Sequence, residues 1–386
     1  MEKSIVSKQV EQMPWSGIRV FFDLVLGMKD VISLGVGEPD FVTPWNIREA
    51  GIYSIESGYT SYTSNKGLLE LRQELARYLY KKHGLEYDVE EEMLITVGVS
   101  EGFDLTLRAI IEPGDKVLIP RPCYVSYGPL VELQGGRAVY LDTKIDCGFK
   151  VTPKQLESAI DRRTKALLLN YPCNPTGASY KKKELEALYK IARKNGLIII
   201  SDEIYADLTY DFAHTPLATL SGAKERTVYL NGFSKAFAMT GWRIGYACGP
   251  KEIISAMTKI HQYTMMCVPI ASQMAAIEAL RRSDKSVLDM KKEYKRRRAL
   301  VVSGLNEMGL SCHMPEGAFY VFPSIKKSGM SSVDFASKLL QEEKVAVVPG
   351  TAFSPMADDN IRISYASSLD NLKEAMARIG NFLKSR

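Results

Sequence analysis

One lysine provides the first indication of chemistry in this sequence. Lys235 lies in the run Gly232–Phe237, directly after an apolar stretch that is typical of a buried strand. Its small and aromatic neighbours would remove water from the ammonium group, and this lowers the pKa of a lysine. A lysine with a lowered pKa can attack a carbonyl compound and form a Schiff base. Arg243 follows eight residues later, and its guanidinium suits a phosphate group.

Two further polar residues follow neighbouring apolar runs. Asp202 comes after the run that ends at Ile200, and Asn174 comes after the run that ends at Leu169. Taken alone, Asp202 could simply cap a helix and Asn174 could mark a turn. Pyridoxal phosphate, however, has a carbonyl for a lysine, a phosphate for an arginine and a ring nitrogen that needs a carboxylate to stay protonated. The sequence therefore predicts this cofactor, with Asp202 as the partner of the ring nitrogen.

Other common catalytic motifs are missing from the sequence. It contains no GxGxxG after a strand, no GxxxxGK[ST], no HExxH and no GxSxG. Only four histidines occur, at positions 83, 214, 261 and 313, and none is paired at the spacing of metal ligands. Histidine-based catalysis and a zinc site are therefore poor interpretations, and we expect no metal.

The elements that would position these residues form an alternating pattern. Between about residues 93 and 250, helical stretches separate apolar, β-rich runs, and Lys181–Asn195 is one such helix, with Gly196 placed to end it. The runs are Met93–Val97, Lys116–Ile119, Ala138–Leu141, Ala166–Leu169, Leu197–Ile200, Thr227–Leu230 and Arg243–Ala247. Because several runs are apolar on both faces, we predict an α/β domain with a mostly parallel, doubly wound, seven-stranded sheet. Ligands of such sheets bind at the carboxyl ends of the strands.

The pattern changes after about residue 283, which predicts a second, smaller α+β domain. Its elements would be helix Lys285–Met308, strand Ala318–Phe322, helix Ser332–Glu343, strands Val345–Val348 and Ile361–Tyr365, and a final helix from Leu369. We expect a large cofactor-binding domain over residues 45–282. Residues 283–386 and residues 1–44, which include an N-terminal arm, would form the small domain that closes over the substrate.

Composition excludes several functional classes. The 386 residues carry 50 basic and 45 acidic side chains, and so small an excess, spread along the chain, does not indicate nucleic-acid binding. No apolar stretch is long enough to span a bilayer, and the N-terminus lacks the apolar core of a signal peptide. Six cysteines without a CxxC pair favour a reducing compartment. We therefore expect a cytoplasmic enzyme that binds neither membrane nor nucleic acid.

The chain resembles the fold-type I pyridoxal-phosphate aminotransferases, specifically class I, which acts on aspartate, alanine and aromatic amino acids. The lysine segment, Gly232–Gly245, matches the cofactor-attachment signature of this family position by position. Further matches are Gly35–Phe41, Tyr59–Thr63, Asn174–Gly177, Asp202–Tyr205, Gly317–Tyr320, Val348–Gly350 and Ile361–Tyr365. Their shared order carries the resemblance over essentially the whole chain.

The resemblance implies how the ring of the cofactor would be held. Lys235 would bind the cofactor covalently and then move a proton to and from the α-carbon of the substrate. Asp202 would pair with the ring nitrogen, and Asn174 and Tyr205 would bond the phenolate oxygen. Tyr124 matches the aromatic residue that stacks on the ring. Catalysis is thus expected from Lys235, Asp202 and Tyr205.

The resemblance also implies how the phosphate would be held. The backbone N–H groups of Val99 and Ser100 would bind it at a helix N-terminus. The side chains of Ser234 and Arg243 would bind the same phosphate. Tyr62 matches a tyrosine that reaches the phosphate of a partner subunit. The resemblance therefore implies a homodimer with an active site formed between subunits.

The substrate end of the site shows two departures from the family pattern. Arg362 would bind the α-carboxylate, helped by the backbone of Gly37 and by Asn174. Gly232, however, stands where some relatives have a phosphate-binding serine, so one phosphate contact would be missing. Ser100 stands where some aspartate-selective relatives have a lysine for the distal carboxylate, so strict aspartate specificity is not expected.

The resemblance implies ping-pong transfer of an amino group between an L-amino acid and 2-oxoglutarate. The donor would be alanine, aspartate or an aromatic amino acid, with either a broad range or a preference for alanine and aromatic donors. The distal carboxylate of 2-oxoglutarate would need a second cation. One hypothesis is that Arg19 meets this carboxylate and moves away for an apolar donor. The alternative is that Arg19 stays exposed or pairs with Asp23, one helical turn later. The uncharged stretch Tyr263–Cys267, expected near the neighbouring site, suits alanine or aromatic side chains better than a second carboxylate.

Two alternatives to amino transfer remain open. A pyridoxal-phosphate lyase that catalyses β-elimination would share these motifs, and only the need for a keto-acid acceptor would distinguish the two activities. A non-catalytic member of the family would be a regulator with an extra DNA-binding domain, and we expect no such domain here.

Overall fold

The computed structural model describes residues 5–18 and 28–385. In chain order, the strands are β1 (Ile32–Ser33), β2 (Met93–Thr96), β3 (Lys116–Arg121), β4 (Arg137–Asp142), β5 (Thr164–Asn170), β6 (Ile198–Asp202), β7 (Thr227–Gly232), β8 (Gly245–Cys248), β9 (Tyr320–Val321), β10 (Val345–Ala346), β11 (Val348–Pro349) and β12 (Ile361–Ser364). The helices are α1 (Lys8–Glu11), α2 (Trp45–Glu56), α3 (Leu69–His83), α4 (Gly98–Ile110), α5 (Tyr127–Leu133), α6 (Pro153–Ala159), α7 (Lys182–Lys194), α8 (Lys251–Thr264), α9 (Ile270–Arg282), α10 (Asp284–Glu307), α11 (Ser332–Glu343) and α12 (Leu369–Lys384). None of the described helices combines the length and the apolar character needed to cross a bilayer.

A seven-stranded sheet forms the centre of the fold, in the order β2-β8-β7-β6-β5-β3-β4. Its strands are parallel to their neighbours except for β8, which runs antiparallel to both β2 and β7. The predicted α/β fold with a mostly parallel, seven-stranded sheet is therefore confirmed. The chain passes from β3 outward to β4 and returns on the other side of β3 as β5. Such a reversal opens a crevice at the carboxyl ends of the strands.

Several of these strands are apolar on both faces, which explains their central place in the sheet. In β5, the run from Ala166 to Leu169 is buried between helices that cover both sides of the sheet. One of these helices is α7, which confirms the predicted helix to within one residue at each end. Its buried residues recur at helical spacing and are Leu185, Leu188, Tyr189 and Ala192. Gly196 follows the helix with a φ of +69°, a conformation that glycine adopts without strain.

Three predicted strands differ from the structure. The strand predicted over Arg243–Ala247 begins only at Gly245, because Arg243 has a left-handed φ of 51° and ends a 3-10 turn. The strand predicted over Val345–Val348 divides into β10, which pairs with β1, and β11, which pairs with β12. The uniformly apolar sequence there carries no alternation that could reveal this change of partner. The strand predicted over Ala318–Phe322 is shorter, because Ala318 has a φ of 58°.

Smaller sheets and the C-terminal helices pack around a second core. Strands β11, β12 and β9 form an antiparallel sheet, and β1 pairs with β10 in parallel. Helix α10 confirms the predicted long charged helix and buries Tyr294, Val301 and Leu305 in this core. The same core includes Tyr205, which follows β6 of the large sheet. The proposed domain limits at residues 45 and 282 stay a prediction.

A buried arginine on α10 fixes the position of the segment 35–41, which includes Gly37. Arg297 donates to both carboxylate oxygens of Asp40 at 2.8 and 2.9 Å, and the hydroxyl of Tyr294 lies 3.4 Å from the same carboxylate. The guanidinium also lies 5.1 Å from the centroid of the Phe41 ring. Because Arg297 is only 6% exposed, this contact fixes the end of the segment 35–41 against the second core.

Gly245, the first residue of β8, allows a close backbone approach. A Cβ on this residue would lie 2.8 Å from the carbonyl carbon of Gly98 and from the nitrogen of Val99, and backbone atoms cannot rotate away. We expect Gly245→Ala to lower the free energy of unfolding by about 1–3 kcal/mol, the usual cost of overpacking. Urea unfolding of the cofactor-free protein measures this loss. Gly241→Ala is the control, because a Cβ there meets no atom within 4 Å, and equal losses in both variants would contradict the prediction.

Candidate active site

A cavity of about 400 Å³ opens at the carboxyl ends of β5, β6 and β7. It brings together nearly all of the residues that the sequence predicted for the site. These are Gly37, Val99, Ser100, Tyr124, Asn174, Asp202, Tyr205, Ser234, Lys235, Arg243 and Arg362. The exception is Tyr62, which lies outside the cavity and is 82% exposed. Arg19 lies outside the described residues, directly after Ile18, which lines the cavity.

Lys235 follows β7 and extends its amine into this cavity. The ammonium donates a hydrogen bond to the carbonyl oxygen of Gly37 at 2.7 Å, and it lies 5.8 Å from the ring centroid of Tyr205. Burial lowers the pKa of Lys235 to about 8, and the positive charges of Arg362 and Arg243 act in the same direction. The amine is therefore neutral often enough near neutral pH to act as a nucleophile.

Asp202 lies at the end of β6 and is 5% exposed. Burial raises the pKa of its carboxyl group to about 6, although two hydrogen bonds to the carboxylate act in the opposite direction. The Tyr127 hydroxyl donates to Oδ2 at 2.7 Å, and the backbone N–H of Ile204 donates to Oδ1 at 3.2 Å. A cation placed beside this carboxyl group would ionise it, as a protonated ring nitrogen requires.

The sequence did not single out Tyr127 and Asn170, which support the predicted residues. The Asn170 amide donates to the carbonyl oxygen of Asp202 at 3.0 Å and accepts a hydrogen bond from the N–H of Asn174 at 3.0 Å. Asn170 is the last residue of β5, and this strand-end position was a usable signal. Tyr127 lies one helical turn after Tyr124 and packs edge-on against it, but its contact with Asp202 spans 75 residues and left no trace in the sequence.

The start of α4 and Arg243 form one end of the cavity. Helix α4 begins at Gly98, so the N–H groups of its first turn have no partner within the helix. Arg243 is exposed beside this turn and donates to the carbonyl oxygen of Thr240 at 3.0 Å. A Cβ on Gly98 would lie 2.7 Å from the Arg243 guanidinium, and a Cβ on Gly232 would lie 2.9 Å from the Cα of Gly245. The missing serine at position 232 therefore has a physical reason, because the neighbouring strand leaves no room for a side chain.

Arg362, on β12, provides a buried cation at the other end of the cavity. It is 1% exposed, and its guanidinium donates to the side-chain oxygen of Asn174 at 2.9 Å and to the carbonyl oxygen of Gly35. Its Nε has no hydrogen-bond partner, and no carboxylate among the described residues forms a salt bridge with it. Burial lowers the pKa of Arg362, because surroundings of low polarity disfavour its charged form. Because an unpaired buried charge costs several kcal/mol, this end of the site is suited to a small anion.

Comparison with known proteins identifies the family. Residues 29–379 match the family model described as aminotransferase class I and II. The chain belongs to this family. The Bacillus subtilis protein YugH is 54% identical over 380 residues, which are 98% of each chain. An aspartate aminotransferase of Pyrococcus abyssi is 45% identical over 99% of each chain. The crystal structure of an aromatic aminotransferase from Pyrococcus horikoshii has a TM-score of 0.91 and 44% identity, and it covers 96% of this chain and 99% of its own.

The aminotransferase uses pyridoxal phosphate and acts on amino acids and 2-oxo acids, as the sequence predicted. Three features of the cavity fit this cofactor. A buried carboxyl group, Asp202, has a raised pKa and forms no salt bridge within the described part of the chain, and a nucleophilic amine, Lys235, shares its cavity. The glycine-lined start of α4 leaves open backbone N–H groups beside Arg243, which suit a phosphate. When bound, the cofactor supplies a carbonyl carbon for the amino group and a ring that accepts electrons.

The lowered pKa of Lys235 can be tested in the cofactor-free protein. Cyanate reacts only with neutral amines, so the rate of carbamylation follows the deprotonated fraction of each lysine. We expect the rate at Lys235 to level off above about pH 9 with a midpoint near pH 8, because its pKa is about 8. Peptide mapping by mass spectrometry measures the rate. Lys285, whose pKa is raised by Asp289, is the internal control, and a parallel rise at both lysines up to pH 10 would contradict the prediction.

Proposed function

We propose that this enzyme moves an amino group between an uncharged L-amino acid, aromatic or alanine, and 2-oxoglutarate by a ping-pong mechanism. The observation that carries the proposal is the presence in one cavity of a partly buried amine, Lys235, and a buried guanidinium, Arg362. The amine of Lys235 has a lowered pKa and can react, whereas Arg362 is a cation that no carboxylate of the described residues pairs with. An amino acid offers the two complementary groups, an α-amino group and an α-carboxylate.

Two residues would manage protons in this reaction. Lys235 would bind the cofactor, release it when the substrate amine arrives, and then carry the proton that leaves the α-carbon. The carbonyl oxygen of Gly37, 2.7 Å from the amine, would orient it. Asp202 would keep the ring nitrogen protonated, and the hydrogen bond from Tyr127 would hold its carboxylate in place.

The remaining cavity residues would hold the cofactor. The N–H groups of Val99 and Ser100, with the side chains of Ser234 and Arg243, would bind the phosphate. Tyr124, which is only partly buried at the cavity wall, would stack on the ring.

The oxygen atoms of the cofactor and of the substrate would share one set of residues. Asn174 and Tyr205 would donate to the ring oxygen of the cofactor. Arg362 would bind the substrate α-carboxylate through two parallel hydrogen bonds, helped by Gly37 and by Asn174, which already contacts the guanidinium.

The donor preference follows from the charges that line the cavity. Among the described lining residues, the cations are Lys235, Arg243 and Arg362, and each has a role already. The lining also includes Phe103 and Leu130, which favour an apolar side chain over a second carboxylate. The distal carboxylate of 2-oxoglutarate would then be met by Arg19, and this hypothesis stays a prediction.

A panel of amino donors, assayed with and without 2-oxoglutarate, tests the proposed function. We expect turnover only when the acceptor is present, with kcat/KM for phenylalanine at least about tenfold above that for aspartate, since one unpaired buried charge costs more than about 1.4 kcal/mol. Ser100→Lys should reverse the order by raising kcat/KM for aspartate, and Lys235→Ala should abolish turnover. Ammonia and pyruvate formed without an acceptor would identify a lyase instead.

We also propose that the enzyme is a homodimer in which Tyr62 binds the phosphate of the partner subunit. The proposal is supported by a group of exposed residues that includes Tyr59, Tyr62, Tyr263, Met265 and Met266. The amide of Asn65 donates to the carbonyl oxygen of Met266 at 2.7 Å and holds the two segments of this group together. Exposed apolar groups of this kind mark protein interfaces.

Tyr62→Phe would separate phosphate binding from dimer formation. We expect it to weaken the affinity for pyridoxal phosphate about tenfold, the usual effect of losing one hydrogen bond to a charged group, while sedimentation still shows a dimer. Tyr59→Phe, a neighbouring exposed tyrosine, should leave the affinity unchanged. A catalytically competent monomer would refute the shared site.

We infer a cytoplasmic location from the cysteines. All six are free thiols, and Cys123, Cys248 and Cys312 are buried. Free thiols persist in reducing compartments, where disulfides are rare.

A further inference from the structure

Tyr320 contacts three components of the active site at once, although its side chain does not line the cavity. Its hydroxyl oxygen lies 2.9 Å from the hydroxyl oxygen of Tyr205. The guanidinium carbon of Arg362 lies 4.6 Å from the centroid of its ring. A Cβ on Gly37 would lie 2.9 Å from the same hydroxyl. Tyr320 therefore connects the residue proposed to bond the cofactor with two that are proposed to bind the substrate carboxylate.

The number of available protons determines which of the two tyrosines donates the hydrogen bond between them. Each hydroxyl has one proton, and within the described parts of the chain the only partner of each hydroxyl is the other one. In the proposed function, the Tyr205 hydroxyl donates a hydrogen bond to the ring oxygen of the cofactor. The proton between the tyrosines must then belong to Tyr320, with Tyr205 as the acceptor.

The surroundings of the two rings favour the same direction. The positive charge of Arg362 lies over the Tyr320 ring and draws electron density from it, which makes the hydroxyl a stronger donor. Burial raises the pKa of both phenols, and the positive charge of Arg362 opposes this rise.

We propose that Tyr320 is a positioning residue that transmits the binding of the substrate carboxylate from Arg362 to Tyr205. Its hydrogen bond directs the Tyr205 proton toward the cofactor. A carboxylate bound to Arg362 offsets the charge over the Tyr320 ring and weakens this bond, and Tyr205 becomes a weaker donor in turn. The proposal rests on the proposed function, and it adds a second path to the direct contact between Arg362 and Asn174.

A pH titration of the visible absorbance of the holoenzyme tests the proposal. This absorbance reports the pKa of the Lys235 nitrogen when it is bound to the cofactor, and hydrogen bonds to the ring oxygen lower that pKa. Tyr320→Phe removes one hydroxyl and should raise this pKa by about 0.3 unit, since a cooperative partner changes a hydrogen bond by about 10–30%. Saturating 3-phenylpropionate, a carboxylate without an amino group, should raise the same pKa of the Lys235 nitrogen in the unmodified enzyme. The rise should be about half as large in Tyr320→Phe.

Two further variants separate this role from a loss of stability. Tyr365→Phe removes another buried hydroxyl beside the same small sheet, one that donates to the carbonyl oxygen of Ala318 at 3.0 Å. It should not change the pKa of the Lys235 nitrogen, with or without 3-phenylpropionate. In a Tyr205→Phe background, adding Tyr320→Phe should have no further effect on the absorbance, because the path is already broken.

Each negative result has its own meaning. An unchanged pKa and an unchanged carboxylate effect in Tyr320→Phe would overturn the role of Tyr320, while cofactor binding at Lys235 would still stand. A further shift upon adding Tyr320→Phe to Tyr205→Phe would also overturn it. Failure of the unmodified enzyme to bind the cofactor at Lys235 would overturn the proposed function itself.

Discussion

A guanidinium that is buried without a carboxylate is the constraint on which this active site depends. Arg362 is held by an amide oxygen, a carbonyl oxygen and two aromatic rings, all of which direct the group without neutralising it. In the proposed function, the partner of this charge is the carboxylate of the substrate. Such an arrangement costs stability in the free enzyme and returns it as binding free energy, because the incoming carboxylate restores the missing ion pair.

The two cores of the molecule meet at this charge. Arg362 comes from β12, whereas its two hydrogen-bond acceptors come from the loop after β5 of the large sheet and from the segment 35–41. That segment is bound to α10 by the hydrogen bonds between Asp40 and Arg297, so the position of the Arg362 guanidinium is defined jointly by both cores. Catalytic distances in such an arrangement are sensitive to small movements of one core against the other.

Sequence reasoning predicted the parts of the site that follow local rules. Lys235 and Asp202 follow apolar strands, so their place at one edge of a parallel sheet could be foreseen. Contacts between distant elements could not, as the bond from Tyr127 to Asp202 and the pair formed by Tyr205 and Tyr320 show. The division of the run Val345–Val348 between two sheets was missed for a related reason, because uniform apolar character does not specify a strand partner.

The close contact among Gly98, Gly232 and Gly245 has a consequence for how this enzyme can change. Backbones that touch at three glycines leave the phosphate end of the cavity no freedom to accept new side chains. Another part of the cavity wall is formed by side chains such as Ile18 and Leu130. Variation in substrate range can therefore accumulate at that wall while the cofactor end is retained. The same protein framework is thereby open to new amino acids without a new catalytic apparatus.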